Sequence, residues 1–245
     1  MRLRVSDLRP CLRLSRPAFA GRSVRILLTG FDPFADRSMN PSWDAVKQLD
    51  GEVIAGAWVH AIKVPVVWRE SVAAIAAALD REPVDALLIG GLAYGRPSVS
   101  VEALAHAIGD SPWVADNAGL ALSNERSDGD PSGPDALLAT APVRAIAAAL
   151  NAAGIPAVVS WDGGTYVSNA TLYGALRHAR DRGLPLRTTY LHVPAVPEMT
   201  TGTATPSLPL AAITRAFRIA CEVVATHEGA DAPSRRWPTA MPSLP

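Results

Sequence analysis

The first candidate for chemistry lies where the apolar run "IPAVVSW" leads into Gly163-Gly164 and then "TYVSNATLYG", a stretch that reads as helix. A chain that leaves a strand, turns through two glycines and enters a helix presents one side chain at the helix N-terminus. A nucleophile or an anion contact is well placed there. The side chain so presented is Ser168. Its hydroxyl is a nucleophile, a helix cap, or the remnant of a site that once did chemistry. A second polar group, His192, ends another short apolar run, "RTTYLHVP".

The fold-forming sequence that must position these groups begins at "SVRILLTG", a buried strand ending in Gly30. "PSWDAVKQLDG" carries Pro41 near a helix start and Gly51 just past its end. "VIAGAWVHAIKVPVV" offers one or two extended segments. "WRESVAAIAAALDRE" reads as helix with Val72, Ile75, Ala76 and Leu79 on one face, and "VDALLIGG" as the next buried strand. "SVSVEALAHAI" is ambiguous between strand and helix. The polar stretch from Asp116 to about Asp135 reads as a long loop of the kind that serves as a lid. A helix from about Asp135 to Ala153, the strand "AVVSW", a helix after Ser168, the strand ending at His192 and a last helix to about His227 complete the order. In that last helix Leu210, Ile213, Phe217, Cys221 and Val224 recur at helical spacing, so Cys221 belongs to its buried face.

Alternating strands and helices with continuously apolar strands predict an α/β fold: a mainly parallel twisted sheet with helices on both faces. Ligands in such folds bind outside the carboxyl ends of the strands. "TGFDPF", "GGLAYGR", "DGGTYVSN" and His192 each follow a predicted strand, so four strand ends converge on one edge. The first of these loops lacks a G-x-G-x-x-G or GK[ST] pattern. It holds Phe31 and Phe34, which either cover the sheet edge or wall a pocket for a small flat ligand.

Composition narrows the class. With 245 residues, 49% of them hydrophobic, the chain suits a single domain with a large core. Twenty-three basic residues balance twenty-three acidic ones, and aromatics make up 6%, which argues against nucleic-acid or membrane partners. Two cysteines, Cys11 and Cys221, are too few for a disulfide scaffold or a cysteine-rich metal site, and a reducing, cytoplasmic compartment is the expectation. No segment reaches the roughly 18 to 20 apolar residues of a membrane span. Residues 1–23 are Arg-rich and read as a disordered arm, 24–228 as the folded domain, and 229–245 as a Pro-rich tail.

"TGFDPF…NPSWDAV" resembles the opening of the pyrrolidone-carboxylate peptidases (pyroglutamyl-peptidase I), cysteine peptidases that remove an N-terminal pyroglutamyl residue. The resemblance continues, in order, through "GGLAYGRPSVSVEALA", "PDALLATAPVRAIAAALNAAGIPAVVS", "GTYVSNATLYGALRH" and "YLHVPAVPE", over roughly residues 24 to 225. It implies a single-domain α/β/α sandwich, no metal or cofactor, a peptide or small-molecule substrate with a pyroglutamyl-like ring, and a homo-oligomer, often a tetramer. Carried over by position, the catalytic Glu falls on Glu102, the catalytic His on His192, and the nucleophilic Cys on Ser168. The paired phenylalanines of the ring pocket fall on Phe31 and Phe34, and an Asn before Pro falls on Asn40.

Several positions depart from the family's pattern. Leu92 stands where the family has a pocket amide, Ala103 where an Arg follows the Glu, Ala107 in place of an Asn, and Ala170 in place of a His. "FAD" replaces F-G-G, and "SPWVADN" lacks the usual Arg. A serine nucleophile also changes the chemistry. A hydroxyl cannot stand as an alkoxide and needs proton removal by an oriented His during attack, whereas a thiol ionises readily. The resemblance therefore implies hydrolysis through an acyl-enzyme on Ser168, with His192 as base and Glu102 orienting it. The alternatives are a non-catalytic binder of a cyclic or N-blocked ligand, and a hydrolase of a different amide or ester.

Overall fold

A computed structural model describes residues 23–228. The tail at 229–245 and all but the last residue of the expected arm lie outside the described residues. The elements run β1 (Arg25–Phe31), α1 (Pro41–Val46), β2 (Val53–Ile54), β3 (Ala57–Val64), α2 (Glu70–Arg81), β4 (Ala86–Leu92) and β5 (Val99–Glu102). Short strands follow: β6 (Leu104–His106), β7 (Ile108–Gly109), β8 (Glu125–Arg126) and β9 (Ala136–Leu138). Then come α3 (Val143–Ala152), β10 (Ala157–Ser160), α4 (Val167–Asp181), β11 (Arg187–Val193), α5 (Pro197–Thr200) and α6 (Leu210–Thr226).

Seven strands form the central sheet in the order β10-β5-β11-β4-β1-β3-β2. The middle four, β11, β4, β1 and β3, are parallel. Side chains alternate between two apolar layers, as a doubly covered sheet requires. Ile26 and Leu28 of β1 join Val46, Ile146 and Phe217 from α1, α3 and α6; Leu27 and Phe31 face Ile75 and Leu172 from α2 and α4. The α/β/α sandwich expected from the sequence is the observed architecture. The face of α6 that carries Cys221 is buried, and burial pushes its thiol pKa up. Among the described residues no helix is long and apolar enough to cross a membrane.

Three readings of the sequence need correction. First, the four strand ends do not all meet at one edge, because within the mainly parallel sheet β5 runs antiparallel to β11 and carries β10 with it. Only residues 93–98 separate β4 from β5, too few for the crossover that a parallel strand needs. Second, the helix expected from Asp135 begins at Val143, because residues 136–138 pair with β6 and Pro142 is suited only to a helix start. Third, the stretch from Asp116 to Asp135 is not a free lid. The Asp116 carboxylate accepts hydrogen bonds from the backbone N–H groups of Trp68, Ala118 and Leu120. Arg126 bonds Asp128, Asp135 and the Tyr173 hydroxyl. "SVSVEALAHAI" resolves as strand throughout its paired positions.

Candidate active site

The loop after β1 is held by a chain of short polar contacts. The Phe31 N–H donates to Ser42 Oγ at 3.1 Å, and that hydroxyl donates to Asn40 Oδ1 at 2.8 Å. Asn40 caps α1 through the Ser42 N–H and donates from Nδ2 to the Asp32 carbonyl at 3.0 Å. Gly30 lets β1 pass against the α1 backbone, where a methyl group would overlap Trp43. The ring of Phe31 thereby turns inward, its centroid 6.2 Å from that of Tyr190, while Phe34 stays at the rim, 6.0 Å from Tyr166. The Arg37 guanidinium lies over both Phe34 and Tyr94, at 5.3 and 4.6 Å from the ring centroids.

Both phenylalanines line one cleft, which is partly open to solvent. Asn40, Leu92, Tyr166, Ser168 and Tyr190 line it too, with Val66, Gly91 and Val167. Leu92, the last residue of β4, gives this cleft an apolar wall.

Strand register brings the imidazole and the carboxylate together. Tyr190 stands opposite Glu102 and His192 opposite Ser100, so all four side chains share one face of the sheet. His192 Nδ1 lies 2.7 Å from Glu102 Oε1, and Arg96 Nη1 donates to the same oxygen at 2.8 Å. Glu102 is fully buried and His192 is 4% exposed, so neither is the solvated or half-buried side chain its residue type would suggest alone. Glu102 Oε2 is buried without a protein hydrogen bond. Burial lowers the His192 pKa, with the Glu102 contact acting in the opposite direction. The ring is therefore neutral at pH 7, with its proton on Nδ1 and a lone pair on Nε2.

Ser168 reaches the cleft by a different route from the one its strand suggested. Since β10 runs against β11, its carboxyl end points away from the rim, and residues 161–166 must climb back. Gly164 turns this segment with φ +78, and the Asp162 carboxylate accepts the Gly164 N–H. Arg96 Nη2 clamps it by donating to the Asp162 carbonyl at 2.9 Å. Tyr166 Oη donates to the Ala115 carbonyl, and the Asn169 side chain pairs with the backbone of His106. Three strand ends and one returning loop converge, not four strand ends.

Ser168 is the second residue of α4, while the N-cap is Tyr166, without a side-chain cap. The capping alternative for Ser168 is thus displaced. Its hydroxyl donates to the Gly163 carbonyl at 3.4 Å and also lies within reach of the Tyr190 phenol. Among the described residues no hydrogen bond joins Ser168 to His192. Its own N–H belongs to the first helical turn, whose amides face outward at the positive end of the helix dipole.

Arg96 and Tyr190 escaped the sequence reading. Arg96 lies in the quoted "GLAYGR", but nothing local announces its partner. Tyr190 did leave a signal: in a strand, a residue two before His192 shares its face. Ala103, Ala107 and Ala170 are buried in the apolar layers and contribute no polar side-chain atom to the cleft. Among the described residues no three His, Cys, Asp or Glu side chains are grouped to hold a metal ion.

A family model described as pyroglutamyl peptidase matches residues 24–227. Pyrrolidone-carboxylate peptidase 2 of Photorhabdus laumondii is 38% identical over 198 residues, 80% of this chain and 89% of the relative. The pyrrolidone-carboxylate peptidase of Chromobacterium violaceum is 42% identical over 173 residues, 71% of this chain and 79% of the relative. Among solved structures, pyroglutamyl peptidase I from Bacillus amyloliquefaciens superposes with a TM-score of 0.83 at 33% identity, covering 87% of this chain and 100% of the other. The pyrrolidone carboxyl peptidase of Thermococcus litoralis gives 0.82 at 30% identity, covering 86% and 99%.

Proposed function

Since the chain belongs to the pyroglutamyl peptidase family, we propose that it hydrolyses the amide bond after an N-terminal pyroglutamyl residue, with Ser168 as nucleophile, His192 as general base and acid, and Glu102 as the group that orients His192. The observation that carries this reading is the buried Glu102–His192 contact at 2.7 Å beside a cleft edged by Ser168. Phe31 and Phe34 flank the five-membered ring in this reading, and Asn40 holds the loop that presents them. A cytoplasmic setting accompanies it, in keeping with the free, buried thiol of Cys221.

The steps follow from the groups present. Ser168 Oγ attacks the scissile carbonyl carbon as His192 Nε2 takes the hydroxyl proton, and Glu102 stabilises the imidazolium that forms. The first-turn amides of α4 face the developing oxyanion, a contribution of the kind worth ~10²–10³ in rate per donor. The imidazolium then returns its proton to the leaving amine, which departs and leaves a pyroglutamyl ester on Ser168. Water, deprotonated by the same imidazole, hydrolyses the ester and restores the hydroxyl. Before the first step the Ser168 side chain must turn from the Gly163 carbonyl toward His192, a rotamer change within a half-exposed site.

The resting contact of the Ser168 hydroxyl with the Gly163 carbonyl favours the second reading, a homologue that binds the ring without cleaving it. Hydrolysis of pyroglutamyl-7-amino-4-methylcoumarin separates the two. Activity in the natural chain that falls by about 10³-fold or more in Ser168→Ala carries the first reading. Silence in the natural chain with strong activity in Ser168→Cys carries the second.

A further inference from the structure

A pyroglutamyl ring brings two polar groups into its pocket, a lactam N–H and a lactam C=O. Each needs a partner when water is excluded. The cleft offers few. Phe31, Phe34, Val66, Leu92 and Val167 present carbon, and Tyr166 spends its O–H on the Ala115 carbonyl. Asn40 is engaged by Asp32 and Ser42. Ser168 is reserved for attack. The remaining polar side chain is Tyr190.

We propose that the Tyr190 phenol is the polar contact that recognises the lactam edge of the substrate ring, supplying from β11 the hydrogen bond that Leu92 on β4 does not offer. This rests on the reading of the cleft as a pyroglutamyl pocket. Four observations place the phenol for that work. Tyr190 is only 2% exposed, yet it lines the cleft. Its ring is wedged between Phe31 and His192, with centroids 6.2 and 4.4 Å away, so its direction is fixed. Its oxygen fills the space above Gly91, where any Cβ would overlap it, and thus lies next to the backbone position that carries Leu92. The Ser168 hydroxyl lies near its oxygen and moves away when that side chain turns to attack.

The phenol also keeps its proton. Burial raises its pKa well above the ordinary range, and the Glu102 charge adds to this. It can therefore donate to the lactam carbonyl or accept from the lactam N–H, and it does not compete with His192 as a base.

Tyr190→Phe removes the oxygen and keeps the ring, so the variant folds on an unchanged core; its melting temperature checks this. Calorimetry with pyroglutamamide and with cyclopentanecarboxamide, which lacks both lactam groups, reads the proposal without requiring turnover. The expected result is a loss of about ten- to hundredfold in affinity for pyroglutamamide, with cyclopentanecarboxamide unchanged. In hydrolysis of the fluorogenic amide, KM rises and kcat moves little. Equal affinity of both proteins for pyroglutamamide overturns the proposal alone, as does an equal loss for both ligands or a fall confined to kcat. A natural chain that binds no pyroglutamamide overturns the pocket reading and the proposal together.

Discussion

The two halves of the site are built on different principles. Glu102 and His192 are held by strand register, packed out of water and braced by Arg96 on the same carboxylate oxygen. Ser168 is held by a loop that climbs back from a reversed strand, is half-buried, and donates to a carbonyl 3.4 Å away. In the proposed mechanism the acid–base half is fixed before any substrate arrives, and the nucleophile must still turn. The contrast teaches that a sheet can pre-set a proton acceptor while leaving the attacking atom to loop geometry. A change of the attacking residue therefore disturbs little of the scaffold.

The largest effect is expected from a change in the rigid half. Glu102→Gln should cost about 10⁴ in kcat, because an amide no longer enforces the Nδ1–H tautomer of His192. Folding should suffer as well, since Arg96 loses its buried counter-charge; urea titration alongside the fluorogenic assay measures both. A kcat within tenfold of the natural chain would mean that Glu102 does not orient the base.

The pH profile sharpens the same point. Because burial holds the His192 pKa below its ordinary value, the acidic limb of kcat/KM should be centred below about pH 6.5, where the imidazole gains its proton. Stability follows the same sign. The unfolded chain takes up the proton at higher pH than the folded one, so this contribution is complete above the unfolded value and is lost as pH falls through the folded one. An acidic limb centred above 6.5 would contradict a neutral, buried ring.

The smallest effect tests the loop half. Asn40→Ala removes a helix cap and the contact to the Asp32 carbonyl, and should lower stability by about 1 kcal/mol. Freed of that restraint, Phe31 and Phe34 should bind substrate less well, so KM rises while kcat holds. A fall in kcat with KM intact would place Asn40 nearer the reaction than the fold suggests.

The same division explains what could be read from sequence. "RILLTGF" and "ALLIGGL" are strands because their continuous apolar runs match a sheet covered on both faces, and the helical spacing around Ile75 and Phe217 fixed two of the covering helices. The rings of Phe31 and Phe34 at a strand end gave a pocket as one alternative. Strand direction was less visible: the short link from β4 to β5 excluded a crossover, yet apolar runs read alike in either direction. Residues 136–138 have good helix formers whose pairing with β6 overrode local preference. The meeting of Glu102 with His192 could not be read locally, because the pairing of β5 with β11, across some ninety residues of chain, is what brings the two side chains together.

Pairing of β5 with β11 has one more consequence. Side chains on a strand switch sides at every position, so a slip of a single residue would carry the Glu102 side chain into the α1/α3/α6 layer and put an apolar neighbour before His192. No intermediate register delivers a carboxylate to the ring. Proofreading of the sheet is thus written into its chemistry: only a correctly aligned copy pairs the imidazole with a carboxylate.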